Sequence, residues 1–192
     1  MSSGPLLIFG TSLSGKSSLA ARISTVTGWE VASTDRMGRH PGRPWTDVPA
    51  PVIEHYASLS DEAILWFLHV HHRNMWPIIC RRIGLALDEG RGIVEGAALR
   101  PEFLAQIDLR RATVIGLRIA PDPLRARIVS ESGYGSRDPM AKRVIDAFAT
   151  RCLHENDALS DAAERYGFDM VDVGTGAAVD DLASKLGRTL VE

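Results

Sequence analysis

Eight residues near the start of the chain restrict its fold more than anything else in it. Residues 10–17 read Gly10-Thr11-Ser12-Leu13-Ser14-Gly15-Lys16-Ser17, the pattern GxxxxGK[ST], with Ser18 next in line. An apolar run at 5–9 precedes it, and a segment of helical spacing follows, with Leu19, Ala20 and Ile23 on one face. A buried strand ending at glycine, a tight turn and a helix starting on lysine aim successive main-chain N–H groups into one concavity. That concavity, at a helix N-terminus, favours polyphosphate. Chance occurrence in a chain of this composition is roughly 0.3%. The spacing assigns residues 10–18 to the phosphates of ATP or GTP, with Lys16 reaching the β- and γ-phosphates and Ser17 joining a magnesium shell. A dinucleotide fingerprint needs G-x-G-x-x-G, and the middle glycine is missing here.

The rest of the chain alternates short apolar runs with helical patterns. Strands are predicted at 29–33, 92–95, 112–119 and 168–173, besides 5–9. Helices are predicted at 16–27, 101–106, 123–131, 139–158 and 179–186. A longer helix over 61–89 is capped by Ser60 and kinked at Pro77. Residues 36–52 hold four Pro and two Gly and read as loop. Residues 132–136 form a Gly-rich break. This order implies an α/β fold of three layers, a five-stranded parallel sheet with helices on both faces, in one domain over 1–192. Ligands on such sheets sit beyond the carboxyl ends of the strands.

With a formal net charge of −2, no overall field recruits nucleic acid or an anionic membrane. The first apolar run is too short for a signal peptide or a membrane span, so the expected location is the cytoplasm. Cys80 and Cys152 lack metal-binding or paired spacing and read as reduced core thiols. Nineteen of the 22 basic residues are arginine, which makes the lone lysine in the loop more conspicuous.

The loop fixes a nucleotide and not a reaction. A GTPase switch would carry NKxD, but the two asparagines, Asn74 and Asn156, do not precede lysine. A motor ATPase would end its third strand in Asp or Asp-Glu, where this chain has Ile93-Val94-Glu95-Gly96. The phosphate loop, Ser33-Thr34-Asp35-Arg36 after the second strand, Glu95-Gly96 after the third, and Leu124-Arg125-Ala126-Arg127-Ile128 before a Gly-rich break together resemble the small P-loop kinases. That group includes nucleoside monophosphate, uridine, shikimate, gluconate and antibiotic kinases. The resemblance spans about residues 5–186. It implies ATP and Mg²⁺ as donor and cofactor, an acceptor-binding excursion over about 36–76 and a mobile lid over about 125–143.

Transfer to a hydroxyl needs a carboxylate that orients it and takes its proton. Asp35 could do this, touch magnesium through water, or merely cap a turn. Glu95 could contact magnesium water or substrate, or serve structurally. Arg36, Arg39 and Arg43 crowd one loop beside Asp35 and could grip an acceptor carrying phosphate or carboxylate. His69, Arg73 and Trp76 share a helical face that could line the acceptor pocket or simply pack. Arg127 and Arg137 flank the Gly-rich break and are the lid cations expected to stabilise the transferring phosphoryl group, with Arg125 and Arg143 as neighbouring candidates. The expected partner is a small-molecule acceptor, which could be anionic, and the chain is a monomer or homodimer. A nucleoside monophosphate kinase and a nucleotide-binding regulatory module or slow NTPase are the competing readings.

Overall fold

Five consecutive residues, Leu6–Gly10, form strand β1 with every side chain buried, because a parallel partner flanks each edge and helices cover each face. The computed structural model describes residues 4–38, 43–46 and 48–191. The other strands are β2 (Val31–Ser33), β3 (Ile93–Gly96), β4 (Thr113–Arg118) and β5 (Met170–Asp172). Their spatial order is β2-β3-β1-β4-β5, and all pairings are parallel. This is the doubly wound α/β arrangement expected from the alternation of elements.

Helices α1 (Lys16–Thr27), α2 (Ala50–Ser58), α3 (Asp61–Glu89), α4 (Pro101–Leu104), α5 (Pro121–Ser132), α6 (Pro139–Tyr166) and α7 (Gly176–Val191) connect or cover the strands. Alternate residues of β1 feed opposite faces. Leu6 and Ile8 join a core with Leu19, Ile23, Phe148 and Leu182, while Leu7 and Phe9 join one with Ile79, Ile83 and Leu159. The helices close on left-handed glycines at Gly28, Gly90, Gly133 and Gly167, a common stop.

Three elements depart from the sequence expectation. Part of the segment expected as loop over 36–52 is helix, since α2 begins at Ala50. Pro77 lies inside α3, which runs unbroken through it to Glu89, and α6 extends to Tyr166, beyond 158. Among the described residues no helix is long and apolar enough to cross a membrane.

Candidate active site

The turn between β1 and α1 is shaped by two glycines and one strained residue. Gly10 sits at φ 151°, where an added Cβ would lie 2.6 Å from the Leu117 carbonyl oxygen, and Gly15 caps α1 at φ 96°. Leu13 holds φ 64°, a conformation costing a non-glycine residue about 1–2 kcal/mol. Strain of this kind persists where surrounding contacts over-determine it. The Leu13 carbonyl accepts from Arg127 Nη1 at 3.0 Å, and the Thr11 hydroxyl, fully buried, donates to the Cys152 carbonyl at 3.0 Å. Ser14 is buried with its Oγ lacking a hydrogen-bond partner, and Ser18 is exposed on the first turn of α1. That first turn carries no acidic residue, so nothing on the helix competes with an anion.

Lys16 is buried, and its Nζ donates to the Thr11 carbonyl at 2.7 Å. Burial lowers its pKa below the ordinary 10.5, while Glu95 and Asp35 pull it back up. Glu95, 3% exposed, stands in register with Ile8 and Ser33 near the end of β3. Its Oε1 accepts from Ser17 Oγ at 3.2 Å. A hydroxyl and a carboxylate side by side are hard oxygen donors of the kind Mg²⁺ takes, alongside phosphate oxygens.

Two cavities of about 310 Å³ each meet at this loop. Leu13, Lys16, Ser17 and Arg43 line both. One extends past Arg127 to the start of α7 at Gly176 and Val179. The other extends past Ser12 to Asp35 and Phe148. Asp35 is exposed in a 3-10 turn, Thr34–Arg36, directly after β2.

The remaining arginines have different placements. Arg127 is fixed flat against main chain, with Nη2 donating to the Val173 carbonyl at 2.8 Å. Arg43 pairs with Glu131 at the end of α5, bridging the segments expected to bind the acceptor and to form the lid. Arg137 donates from Nε to the Ser132 carbonyl at 2.8 Å and from Nη2 to the Trp45 carbonyl at 3.2 Å; it lines neither cavity at the loop. Arg36 and Arg73 are exposed and line neither cavity, and Arg39 lies outside the described residues. Arg125 and Arg143 are also exposed. His69 and Trp76 pack, His69 against Glu155 at 2.9 Å and Trp76 against Phe103 with ring centroids 5.4 Å apart.

One charged group beside the loop escaped the sequence reading. Arg151 on α6 is 2% exposed, with its guanidinium over the Phe148 ring, 4.5 Å from the centroid. Its Nη2 reaches Ser12 Oγ at 3.4 Å. The signal available was a lone arginine inside the apolar stripe Val144, Phe148, Cys152. One turn on, fully buried Glu155 accepts from Arg100 Nη1 at 2.6 Å. His72, beside this network, is held well below its ordinary pKa by burial first and by Arg100 and Arg151 next.

No family model and no curated protein matches the chain. Solved structures do. A gluconokinase from Sinorhizobium meliloti 1021 is 18% identical, with 98% of each chain covered and a TM-score of 0.54. A shikimate kinase from Bacteroides thetaiotaomicron is 14% identical over 98% of this chain and 99% of that one, with a TM-score of 0.52. A deoxyadenosine kinase from M. mycoides with bound dATP is 16% identical over 95% and 98%, also at 0.52. The likeness is one of fold, and it is the fold of small P-loop kinases over nearly the whole length.

Proposed function

We propose that the chain is an ATP-dependent phosphotransferase that moves the γ-phosphoryl group to a hydroxyl of a small-molecule acceptor. The observation that carries this reading is the pair of cavities joined at Lys16 and Ser17, with a carboxylate, Asp35, lining one of them. A second cavity adjoining the first at Lys16 and Ser17 gives an acceptor a place beside the γ-phosphate, which favours transfer over hydrolysis or signalling. In this reading the donor lies along the cavity running to Arg127 and α7, with its phosphates on the amides of residues 10–18. The acceptor occupies the cavity between Asp35 and Phe148.

Asp35 accepts the acceptor's hydroxyl proton as the oxygen forms its bond to γ-phosphorus. The bond from γ-phosphorus to the β,γ-bridging oxygen breaks, and ADP leaves with that oxygen. Lys16 offsets the charge on the β- and γ-phosphates, and Ser17 with Glu95 would hold Mg²⁺, which would supply further charge neutralisation there. Arg127 borders the donor phosphates through its hold on Leu13. Arg137 joins the lid, about 125–143, to the acceptor segment, about 36–76, and so contributes by positioning the two. Arg43, shared by both cavities, is the side chain best sited to follow the phosphoryl group as it crosses. A phosphate acceptor would already be ionised and would need no base, so Asp35 favours a hydroxyl acceptor over a nucleoside monophosphate.

The test is acceptor-dependent turnover. ATP hydrolysis should be slow alone and accelerate sharply with one class of hydroxyl compound. Lys16→Ala should abolish transfer. Asp35→Asn should keep nucleotide affinity while lowering kcat about 100- to 10,000-fold, the range for losing a general base. Full turnover by Asp35→Asn, or no acceptor dependence across a metabolite panel, defeats the reading.

A further inference from the structure

We propose that Arg151 is an acceptor-binding residue, and that the acceptor therefore carries a carboxylate or phosphate group in addition to the hydroxyl it offers for transfer. This rests on the assignment of the Asp35–Phe148 cavity to the acceptor and narrows the substrate class for that site.

A guanidinium remains charged at any pH at which the protein is folded, and it offers five N–H donors. Arg151 spends few of them. The Tyr56 hydroxyl lies beside it, Ser12 Oγ takes one long hydrogen bond, and Nε is buried with no partner. Among the described residues no carboxylate lies within ion-pair distance of it. Glu155, on the next turn of α6, is already held by Arg100 through Oε1 and by His69 through Oε2. Glu155 and, after it, Asp35 act on Arg151 only through space. Stacking on Phe148 offsets part of the desolvation and supplies no direct ion pair.

A buried cation without a direct ion-pair partner is a liability for stability. Apolar residues of similar volume would pack against Phe148 and Tyr56 as well. Such a group has a physical rationale where an anion arrives to complete it. Its surroundings say from which side. Ser12 and Phe148, which it touches, and Asp35, which acts on it through space after Glu155, all line the acceptor cavity, and none of the three lines the donor cavity. Arg151 itself is buried behind that lining, and a compound presenting a hydroxyl to Asp35 and an oxyanion toward Ser12, Phe148 and the guanidinium behind them is fixed at two points. A planar guanidinium suits the two-oxygen edge of a carboxylate or phosphate. Neutral sugars and nucleosides leave the cation uncompensated and are rejected.

Two measurements test this. In the first, the phosphate loop is filled with a non-hydrolysable ATP analogue and magnesium, so that inorganic phosphate cannot enter there. Thermal unfolding is then followed against phosphate, with chloride at matched ionic strength as control. The native protein should show a saturable rise in Tm. Arg151→Met, which fills similar volume without charge, should lose that rise while unfolding no lower than the native protein in chloride. Arg151→Lys, which keeps charge without the fork, should retain a weakened rise. Equal rises in native and Arg151→Met protein overturn the proposal, and so does an Arg151→Met variant that fails to fold, since the arginine is then structural.

In the second, ADP release is measured with matched pairs: hydroxycarboxylates and their amides, sugar phosphates and free sugars. Turnover should be confined to the anionic members, with carboxylate and phosphate arms telling the two sources apart. Arg151→Lys should lower kcat/KM for the active acceptor about 100-fold, the scale for breaking a buried charge pair, with the KM for ATP unchanged. A neutral member used as well as its anionic partner, or an effect that falls on ATP alone, refutes the assignment. If no compound accelerates ATP turnover yet phosphate still stabilises through Arg151, the kinase reading fails and the anion site stands.

Discussion

Ser17 Oγ and Glu95 Oε1 lie 3.2 Å apart, tying the first turn of α1 to the end of β3 across 78 residues of chain. Neither group has an apolar rationale at that place. Glu95 is nearly fully buried, and it is the largest influence raising the pKa of Lys16 against the effect of burial.

Glu95→Gln keeps the shape and removes the charge. The metal requirement should weaken about 10- to 100-fold, as for loss of an outer partner at a metal site. Nucleotide affinity without magnesium should change little. Turnover titrated against magnesium at saturating ATP reads this directly. An unchanged magnesium midpoint would mean that Glu95 is structural.

Lys16 gives a pH dependence whose sign follows from burial. Its pKa in the fold is below 10.5, so the ammonium is lost earlier on the alkaline side than for a free lysine. Only the ammonium pairs with phosphate. Affinity for the triphosphate should therefore hold from neutral pH upward and then fall as pH rises through the depressed pKa, before 10.5 is reached. Calorimetry across this range should give a curve for the native protein and a weak, flat line for Lys16→Ala. Matching profiles for the two would remove Lys16 from the phosphate site.

His72 gives an acid-side dependence. Burial, Arg100, Arg151 and the neighbouring His71 and His69 all disfavour its protonated form, and Glu155 Oε1, at 3.9 Å from Nδ1, does not outweigh them. As pH falls below about 6.5 the unfolded chain takes up a proton that the folded chain refuses, so folding stability declines. The slope approaches about 1.4 kcal/mol per pH unit for one such group. His72→Leu should flatten the decline in Tm between pH 7 and 5 by up to that one proton. A native protein whose Tm is constant over that window refutes the buried neutral histidine.

The parts of this architecture visible in the sequence are those set by local chemistry. The loop at 10–17 is legible because two glycines, a lysine and a hydroxyl at fixed spacing have few alternatives, and β1 because a strand with two partners is apolar throughout. The edge strands β2 and β5 are three residues each, paired on one side only, and so shorter than their apolar runs suggest. Helix α2 was hidden by its prolines. Pro49 precedes the helix and Pro51 lies in its first turn, where proline starts helices and does not break them. Arg151 was hidden because charge ordinarily marks the solvent face of a helix, and nothing local indicates that Ser12 and Tyr56 converge on it from two distant segments, beside Phe148 one turn back on the same helix. Placing Arg137 on the Trp45 carbonyl likewise needed tertiary contacts.

Gly96 offers the sharpest link between fold and site. It sits at φ 154° at the end of β3, and a Cβ there would lie 1.7 Å from Thr34 Oγ1 and 2.7 Å from Thr34 Cβ. Thr34 is fully buried and opens the 3-10 turn that carries Asp35. A methyl group at position 96 must therefore move the turn or the strand end. Overpacking and backbone strain together should lower the stability of Gly96→Ala by about 2–5 kcal/mol. Because the displaced turn bears Asp35 and not the phosphate loop, kcat should fall while nucleotide affinity is preserved. Thr34→Gly in the same chain empties the contested space, so the double variant should recover much of the stability lost in Gly96→Ala. Denaturant unfolding of the four members of that cycle, with acceptor-dependent turnover on each, separates the two effects. A Gly96→Ala protein as stable and active as the native one would show that β3 does not press on the Asp35 turn.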